Sequence, residues 1–305
     1  MAPQRIAVVD LGTNSTRLLV ADVADGALEE LERRTNVTRL GEGVDASGRL
    51  SDEAIGRVVD TLEGYRDAID RHGAERIVAV ATSAVRDAEN GAEFRDLLRQ
   101  RFGIDARTIP GEEEARLTFL GATSGRSADE TLVIDIGGGS TEFVIGLPGG
   151  DPEFHASTRM GSVRHTERHL HDDPPSADNL AELGRDARQI VEREVPADLR
   201  ERVVQGIAVA GTATSLAAID QRLDPYDPER VHGYELRLGA CERMLHMLAA
   251  LRVAERRGVT GLNPDRAPTI VAGVAILVES MRAFGLDRME TSEADILHGA
   301  ALDAG

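Results

Sequence analysis

Two stretches of the 305-residue chain carry the same residues at the same spacing. Residues 10–20 read DLGTNSTRLLV and residues 135–145 read DIGGGSTEFVI, which matches Asp10 with Asp135, Gly12 with Gly137, Ser15 with Ser140 and Thr16 with Thr141. Glycine in such a turn permits unusual backbone torsions and close approach, so successive N–H groups are exposed, and Ser and Thr hydroxyls add donors. Converging donors of this kind suit a phosphate oxygen, although ordinary hairpin turns draw on the same residue types. Recurrence in both halves points to a duplicated domain, each copy giving one strand-turn-strand loop to a cleft.

The basic residues narrow the chemistry. All 35 Lys-plus-Arg residues are arginine. A P-loop ATPase, which needs its lysine, and Schiff-base catalysis are therefore excluded. Arginine stays charged and offers a planar fork to phosphate oxygens, so an anion site here is an arginine site. A net charge of −18 argues against a broad nucleic-acid surface. A polyanion would need only local positive potential, and with no long basic channel evident a short chain fits better.

The single cysteine, Cys241, lies in the helical-looking stretch GACERMLHMLAALRV and reads as a buried, inert thiol. Neither a membrane-spanning apolar run nor a signal peptide is evident, so the expectation is a cytoplasmic protein with no membrane partner. The cluster His169, His171, Asp172 and Asp173 lies beside a Pro-Pro loop without a matching partner set and reads as a solvated loop rather than a metal site.

The elements that must position these groups alternate. Residues 5–9 and 17–23 read as strands around the first loop, and ALEELERRTNVTRL adds a third. Apolar residues Ile55, Val58, Val59, Leu62, Tyr65 and Ile69 recur at helical steps between an N-cap at Ser51 and a stop at Gly73. RIVAVAT is a buried-strand run, EFRDLLRQRFG a helix, and EEEARLTFLGATSG a helix with an acidic first turn. Beyond the polar break SGRSADE, strand, glycine turn and strand follow again in TLVIDIGGGSTEFVIGL. Residues 179–195 read as a helix, GIAVAG as a strand opening directly into the helix TATSLAAID, and DPYDPERVHGYE as an exposed loop with mostly helical sequence after it. The class is α/β.

Eight segments occur together in a fixed order: DLGTNSTRLLVADV, ATSAVRDAEN, PGEEEARLTFLGA, LVIDIGGGSTEFVIG, MGSVR, VAGTATSLAA, RAPTIVAGVAIL and SEADILHGAAL. With them the chain resembles, nearly end to end, the exopolyphosphatase and guanosine pentaphosphate phosphatase family (Ppx/GppA). That family lies within the acetate kinase, sugar kinase, Hsp70 and actin superfamily. The resemblance implies two ribonuclease H-like domains around a cleft. The expected domains are residues 1–124, with a C-terminal helix of about 293–305 packing back on them, and residues 125–292. Longer members carry a further helical domain, so this chain looks like the short form. A homodimer is the family expectation.

The resemblance also divides the labour of phosphoanhydride hydrolysis. Glu114, directly before the Ala of the EEA helix start, is the family's catalytic glutamate; Glu112 and Glu113 read as helix-terminus acids. Asp135 and Glu142 bracket the second loop and are implicated in activity. Phosphate binding falls to Gly12, Thr13, Asn14, Ser15, Gly137, Gly138, Gly139, Ser140 and Thr141, with Arg17 and Arg86 as side-chain donors. Gly211 and Thr212 form a phosphate-contacting strand-to-helix turn, and Arg266 lies in a segment near the cleft. Asp10 and Asp135 are candidate ligands for Mg2+ (or Mn2+), with capping of the loop's own N–H groups as the alternative. The implied reaction is release of orthophosphate from the end of inorganic polyphosphate. Guanosine pentaphosphate is the closest alternative substrate, and an ATP-dependent kinase or a non-catalytic polyphosphate-binding protein stands behind it.

Overall fold

A computed structural model describes residues 3–126 and 129–305. The chain divides into two compact units, Met1–Gly121 with Asp295–Gly305, and Ala122–Ala294. Among the described residues no helix is long and apolar enough to cross a membrane.

The first unit is built on a five-stranded sheet of β1 (Gln4–Leu11), β2 (Ser15–Ala24), β3 (Ala27–Val37), β4 (Arg76–Ala81) and β5 (Ala106–Thr108), in the order β3-β2-β1-β4-β5. The meander β1 to β3 is antiparallel, whereas β4 and β5 run parallel to β1. Alternation along β1 sends its apolar residues to both faces. Ala7, Val9 and Leu11 join one core with Leu62 and Tyr65 of the helix Asp52–His72, and Ile6 and Val8 join another with Ile296, Leu297 and Ala300 of the C-terminal helix. The helix Asp52–His72 has the boundaries its sequence predicts: Ser51 accepts from the Ala54 N–H, and Gly73, at φ 64°, ends the helix in the left-handed region.

The second unit repeats the plan with β6 (Thr131–Ile136), β7 (Thr141–Gly146), β8 (Phe154–Thr158), β9 (Gly206–Val209), β10 (Glu235–Arg237) and β11 (Arg288–Thr291). Its order is β10-β11-β9-β6-β7-β8. Setting β10 aside, the pairing β8-β7-β6-β9-β11 reproduces the first sheet strand for strand in order and direction. Each is a ribonuclease H-like sheet. Its core gathers Leu132, Ile134 and Ile136 of β6 with a helix, Ile270–Phe284, that is buried on nearly every face.

Four strands escape the sequence reading: β5, β8, β10 and β11. Three of them have only three or four residues, too few for a period of two to register, and their pairing supplies what the pattern lacks. β11 lies parallel to β9 through Glu290 opposite Ile207 and Thr291 opposite Ala208, a short strand within a C-terminal stretch that is otherwise mostly helical, as expected. The expected loop DPYDPERVHGYE holds one helical turn, Pro228–Val231, because the Asp227 carboxylate accepts from the N–H groups of Glu229 and Arg230. Cys241 is buried, and burial pushes its thiol up to about 12, as an inert side chain requires.

In the first unit the C-terminal helix Ile296–Ala304 crosses the helix Gly111–Thr123 nearly backbone to backbone. A Cβ on Gly121 would stand 2.0 Å from the Asp295 carbonyl oxygen, and one on Gly299 would stand 1.8 Å from that of Leu117. This crossing anchors the helix whose N-cap is Asp295. Helix propensity alone would make Gly299→Ala stabilising by about 1 kcal/mol. Steric overlap reverses the sign, and denaturant unfolding should show a loss of about 2 kcal/mol.

Candidate functional site

Each unit carries a glycine turn with candidate functional residues on its first hairpin. In the first, β1 and β2 pair so that Asp10 lies opposite Arg17, and the Gly12 N–H closes the turn on the Ser15 carbonyl at 3.0 Å. In the second, Asp135 lies opposite Glu142, and the Gly137 N–H closes on the Ser140 carbonyl, again at 3.0 Å. The match read from sequence is therefore a match in register and in hydrogen bonding.

Both turns aim their amides by the same device. In the first unit the Thr13 and Asn14 carbonyls accept from the N–H groups of Gly41 and Arg39, at 2.8 and 2.9 Å. In the second, the N–H groups of Ser162 and Val163 bind the carbonyls of Gly137 and Gly138, both at 2.9 Å, and Arg164 Nε donates to that of Gly139 at 2.8 Å. The N–H and C=O of a trans peptide point in opposite directions. Capture of these carbonyls thus turns the N–H groups of Asn14 and Ser15, and of Gly138, Gly139 and Ser140, away from the segment that holds them. Such a run of amides has the form of an anion-binding concavity.

The backing segments must come very close, and a glycine marks each approach. A Cβ on Gly41 would meet Thr13 Cγ2 at 2.2 Å, and one on Gly161 would meet the Gly138 carbonyl oxygen at 2.4 Å.

Beneath the first turn lies a buried charge cluster. Arg17 Nε donates to Asp10 Oδ2 at 2.8 Å, and its Nη1 donates to Asp295 Oδ2. Asp295 also caps the C-terminal helix by accepting from the Leu297 N–H. Burial raises the pKa of Asp10 against the opposing pull of Arg17. At Asp295 burial acts in the same upward direction, but Arg17, His298 and the Leu297 N–H together outweigh it and hold the carboxyl below its usual range. Negative charge therefore settles on Asp295 more readily than on Asp10. Read from sequence as a phosphate donor, Arg17 has its guanidinium held by these two carboxylates, because cross-strand register sets it opposite Asp10.

Two buried acceptor oxygens of this hairpin, Asp10 Oδ1 and Asn14 Oδ1, have no hydrogen-bond partner among the described residues. An oxygen acceptor buried without a donor suits a hard divalent cation or its bound water. Thr13 Oγ1 lies 2.8 Å from Ser83 Oγ, which ties the turn to the short helix Ser83–Asp87. From that helix Arg86 Nη1 donates to the Ile109 carbonyl at 2.9 Å and to Glu114 Oε2 at 3.2 Å. Glu114 is buried, 8% exposed, whereas Glu112 is exposed and Glu113 pairs with the exposed Arg107.

On the second hairpin Asp135 and Glu142 are both buried, and Ser157 Oγ donates to Glu142 Oε1 at 2.9 Å. Thr141 is fully buried and its hydroxyl donates to the Met160 carbonyl, so its side chain fastens the hairpin inward rather than offering a donor to phosphate. At the β9-to-helix turn, Ala210 stands at φ 63°, a left-handed conformation that costs a residue with a Cβ about 1 kcal/mol. The next residue, Gly211, lets the Arg266 guanidinium lie against the backbone, since a Cβ there would fall 1.4 Å from Arg266 Nη1. Gly211 and Arg266 are thus brought together from segments 55 residues apart. Thr212 is buried against Gly273.

Sequence reasoning passed over Asp295, Gly41 and Arg164. For Asp295 a signal was present, an Asp directly before the apolar helix ILHGAAL, which is an N-cap signature. His169, taken as part of a solvated loop, is instead buried at the end of the helix Ser162–His169, while His171, Asp172 and Asp173 are exposed as expected. The helical period continues through His169 and turns it inward.

Paired carboxylates beside glycine turns, on twin ribonuclease H-like sheets, define a phosphoryl-handling protein. The Ppx/GppA phosphatase family model matches residues 19–304. Exopolyphosphatase 2 of Mycobacterium tuberculosis is 39% identical over 99% of both chains. Among solved structures, an exopolyphosphatase-like protein superposes with a TM-score of 0.93 at 34% identity, covering 100% of this chain and 98% of its own. The Aquifex aeolicus Ppx/GppA member superposes with a TM-score of 0.82 at 29% identity, covering 99% and 97%. The chain belongs to the Ppx/GppA phosphatase family, and as such is a hydrolase of phosphoanhydride bonds.

The tight packing of Gly161 generates a direct test. Gly161→Ala should leave the protein folded by circular dichroism yet shift the Gly138–Ser140 amides, lowering kcat/KM for phosphate release by about 100-fold.

Proposed function

We propose that the protein is an exopolyphosphatase that removes the terminal phosphoryl group of inorganic polyphosphate as orthophosphate, and that it favours short chains. The observation that carries this reading is Glu114, the one buried carboxylate among the three acids that open its helix, held by Arg86. A carboxylate fixed at its base and excluded from bulk solvent is suited to accept a proton from an attacking water.

The remaining tasks fall to groups already described. In each loop the outward-turned amides are suited to take phosphate oxygens, with the hydroxyl of Ser15 or of Ser140 as an added donor. Arg266, laid on Gly211, supplies positive charge for a more distant phosphate of the chain. Asp10, through its unpartnered Oδ1, would hold a divalent cation, Mg2+ or Mn2+, and Asp135 is the corresponding candidate carboxylate of the second loop. Such an ion neutralises charge on the phosphoryl oxygens. Glu142, fixed by Ser157, is suited to orient water.

Glu114→Gln keeps the shape and the Arg86 contact but removes the base. Phosphate release should fall by about 100- to 10,000-fold with the thermal midpoint little changed; near wild-type turnover in a folded variant would reject the assignment.

Guanosine pentaphosphate, with the same terminal group on its 5′ side, is the second reading, favoured by the family the chain shares with phosphatases of that substrate. Parallel assays on short polyphosphate, long polyphosphate and the nucleotide should give the highest kcat/KM for short polyphosphate. A preference for the nucleotide would move the assignment to it. Tight binding without turnover in the presence of Mg2+ or Mn2+ would instead mark a binding protein, and acceptor-dependent ADP formation a kinase.

A further inference from the structure

Among the described residues, the second unit holds a cluster of groups with ligand chemistry apart from its glycine turn. His165 and His169 stand one turn apart on the helix Ser162–His169, where residues four apart share a face. The helix Ala177–Glu194 brings Asp186 against both. His169 Nε2 lies 2.9 Å from Asp186 Oδ2, and His165 Nε2 lies 3.4 Å from the same oxygen. One ligand atom from each of the three residues falls within 4.8 Å of the others.

His165 is the unexplained member. It is fully buried, yet neither ring nitrogen has a hydrogen-bond partner among the described residues. Burying an imidazole with both nitrogens unsatisfied costs about 1–3 kcal/mol for each polar group, and an apolar side chain would fill the same space without that cost. A polar ring kept there with Nε2 directed at a carboxylate has the form of a ligand without its ion. We propose that His165, His169 and Asp186 bind a divalent transition-metal ion of the zinc class, which ties the helix Ser162–His169 to the helix Ala177–Glu194.

The donor set fits that class. Two imidazoles and one carboxylate, with a water in the fourth position, suit tetrahedral Zn2+, whereas Mg2+ prefers an all-oxygen shell. Tetrahedral ligands at Zn–N and Zn–O bonds of about 2.05 Å lie about 3.3 Å apart, close to the His165–Asp186 separation. Binding moves no electrons. Three lone pairs coordinate the ion, one from each residue. Asp186, with a side chain 31% exposed, gives the ion its way in, and the exposed Arg168 guanidinium, 3.8 Å from Asp186, is the group it displaces.

Location gives the ion a consequence. The first turn of the same helix holds the carbonyls of Gly137 and Gly138, and Arg164 holds that of Gly139. An ion fixing the last turn therefore stiffens the element that aims the second phosphate loop.

The test uses the full chain stripped of metal with a chelator and dialysed. Zn2+ titrated against a competing chromophoric chelator should bind at one high-affinity equivalent, and at about 100 times Kd it should raise the thermal midpoint by on the order of 5 °C. Co2+ in its place should give the visible ligand-field bands of a tetrahedral site, and Mg2+ should produce neither effect. His169→Gln and Asp186→Asn keep the shape of the cluster, and His165→Leu fills its buried position; each should weaken Zn2+ binding by about 100-fold or more. His171→Gln, at an exposed neighbour, should bind as the wild type does. Absence of a high-affinity equivalent in the wild type overturns the proposal, as does undiminished Zn2+ binding by the cluster variants. Should His165→Leu fail to fold, the His169 and Asp186 variants decide.

Discussion

The structure turns on the capture of turn carbonyls by a second segment of chain. A glycine hairpin between two buried strands does not by itself aim its amides at a ligand. In each unit another segment binds the carbonyls from behind, residues 39–41 in the first and residues 161–164 in the second, and planarity of the peptide turns the paired N–H groups outward. The two solutions differ in their partners and agree in their geometry. Each also depends on a glycine at the point of closest approach, Gly41 or Gly161, where a Cβ would collide with the turn.

Charge also gathers around the first hairpin. Arg17 joins Asp10 to Asp295, so a residue at the start of the sheet and the N-cap of the last helix share one guanidinium. Removing Arg17 would leave two buried carboxylates without their shared cation, which is far costlier than the ion pairs are stabilising. The arrangement leaves Asp10 Oδ1 unpartnered and buried, the feature expected of an oxygen reserved for a cation or its water. The second hairpin places Glu142 where the first has Arg17. That single exchange of sign is the main chemical difference between otherwise matching loops.

The cluster of His165, His169 and Asp186 sits on the reverse side of this logic. Its helix uses its first turn to hold the second glycine turn and its last turn to gather side chains with ligand atoms. Packing the aiming helix against its neighbour through an ion would couple loop rigidity to metal supply without any contact between that ion and substrate.

Much was legible in the sequence because it is written locally. The long helix between Ser51 and Gly73 follows from its period and caps, the matching hairpins from their identical spacing, and the inertness of Cys241 from its apolar surroundings. The α/β class follows from alternation, and the family from eight ordered segments. Glu114 could be picked out by resemblance, but three acids in a helical first turn are equivalent until packing buries one of them. Tertiary structure alone decided that Arg17 would be claimed by Asp10 and Asp295, that Thr141 would turn inward to Met160, and that Arg266 would lie on Gly211. It also formed β5, β10 and β11, whose few residues become strands only when a neighbouring strand supplies hydrogen bonds. The physical reason is common to all of these: periodicity and capping act over one or two turns of chain, whereas burial and ion pairing depend on residues far apart in sequence, 278 positions in the case of Arg17 and Asp295.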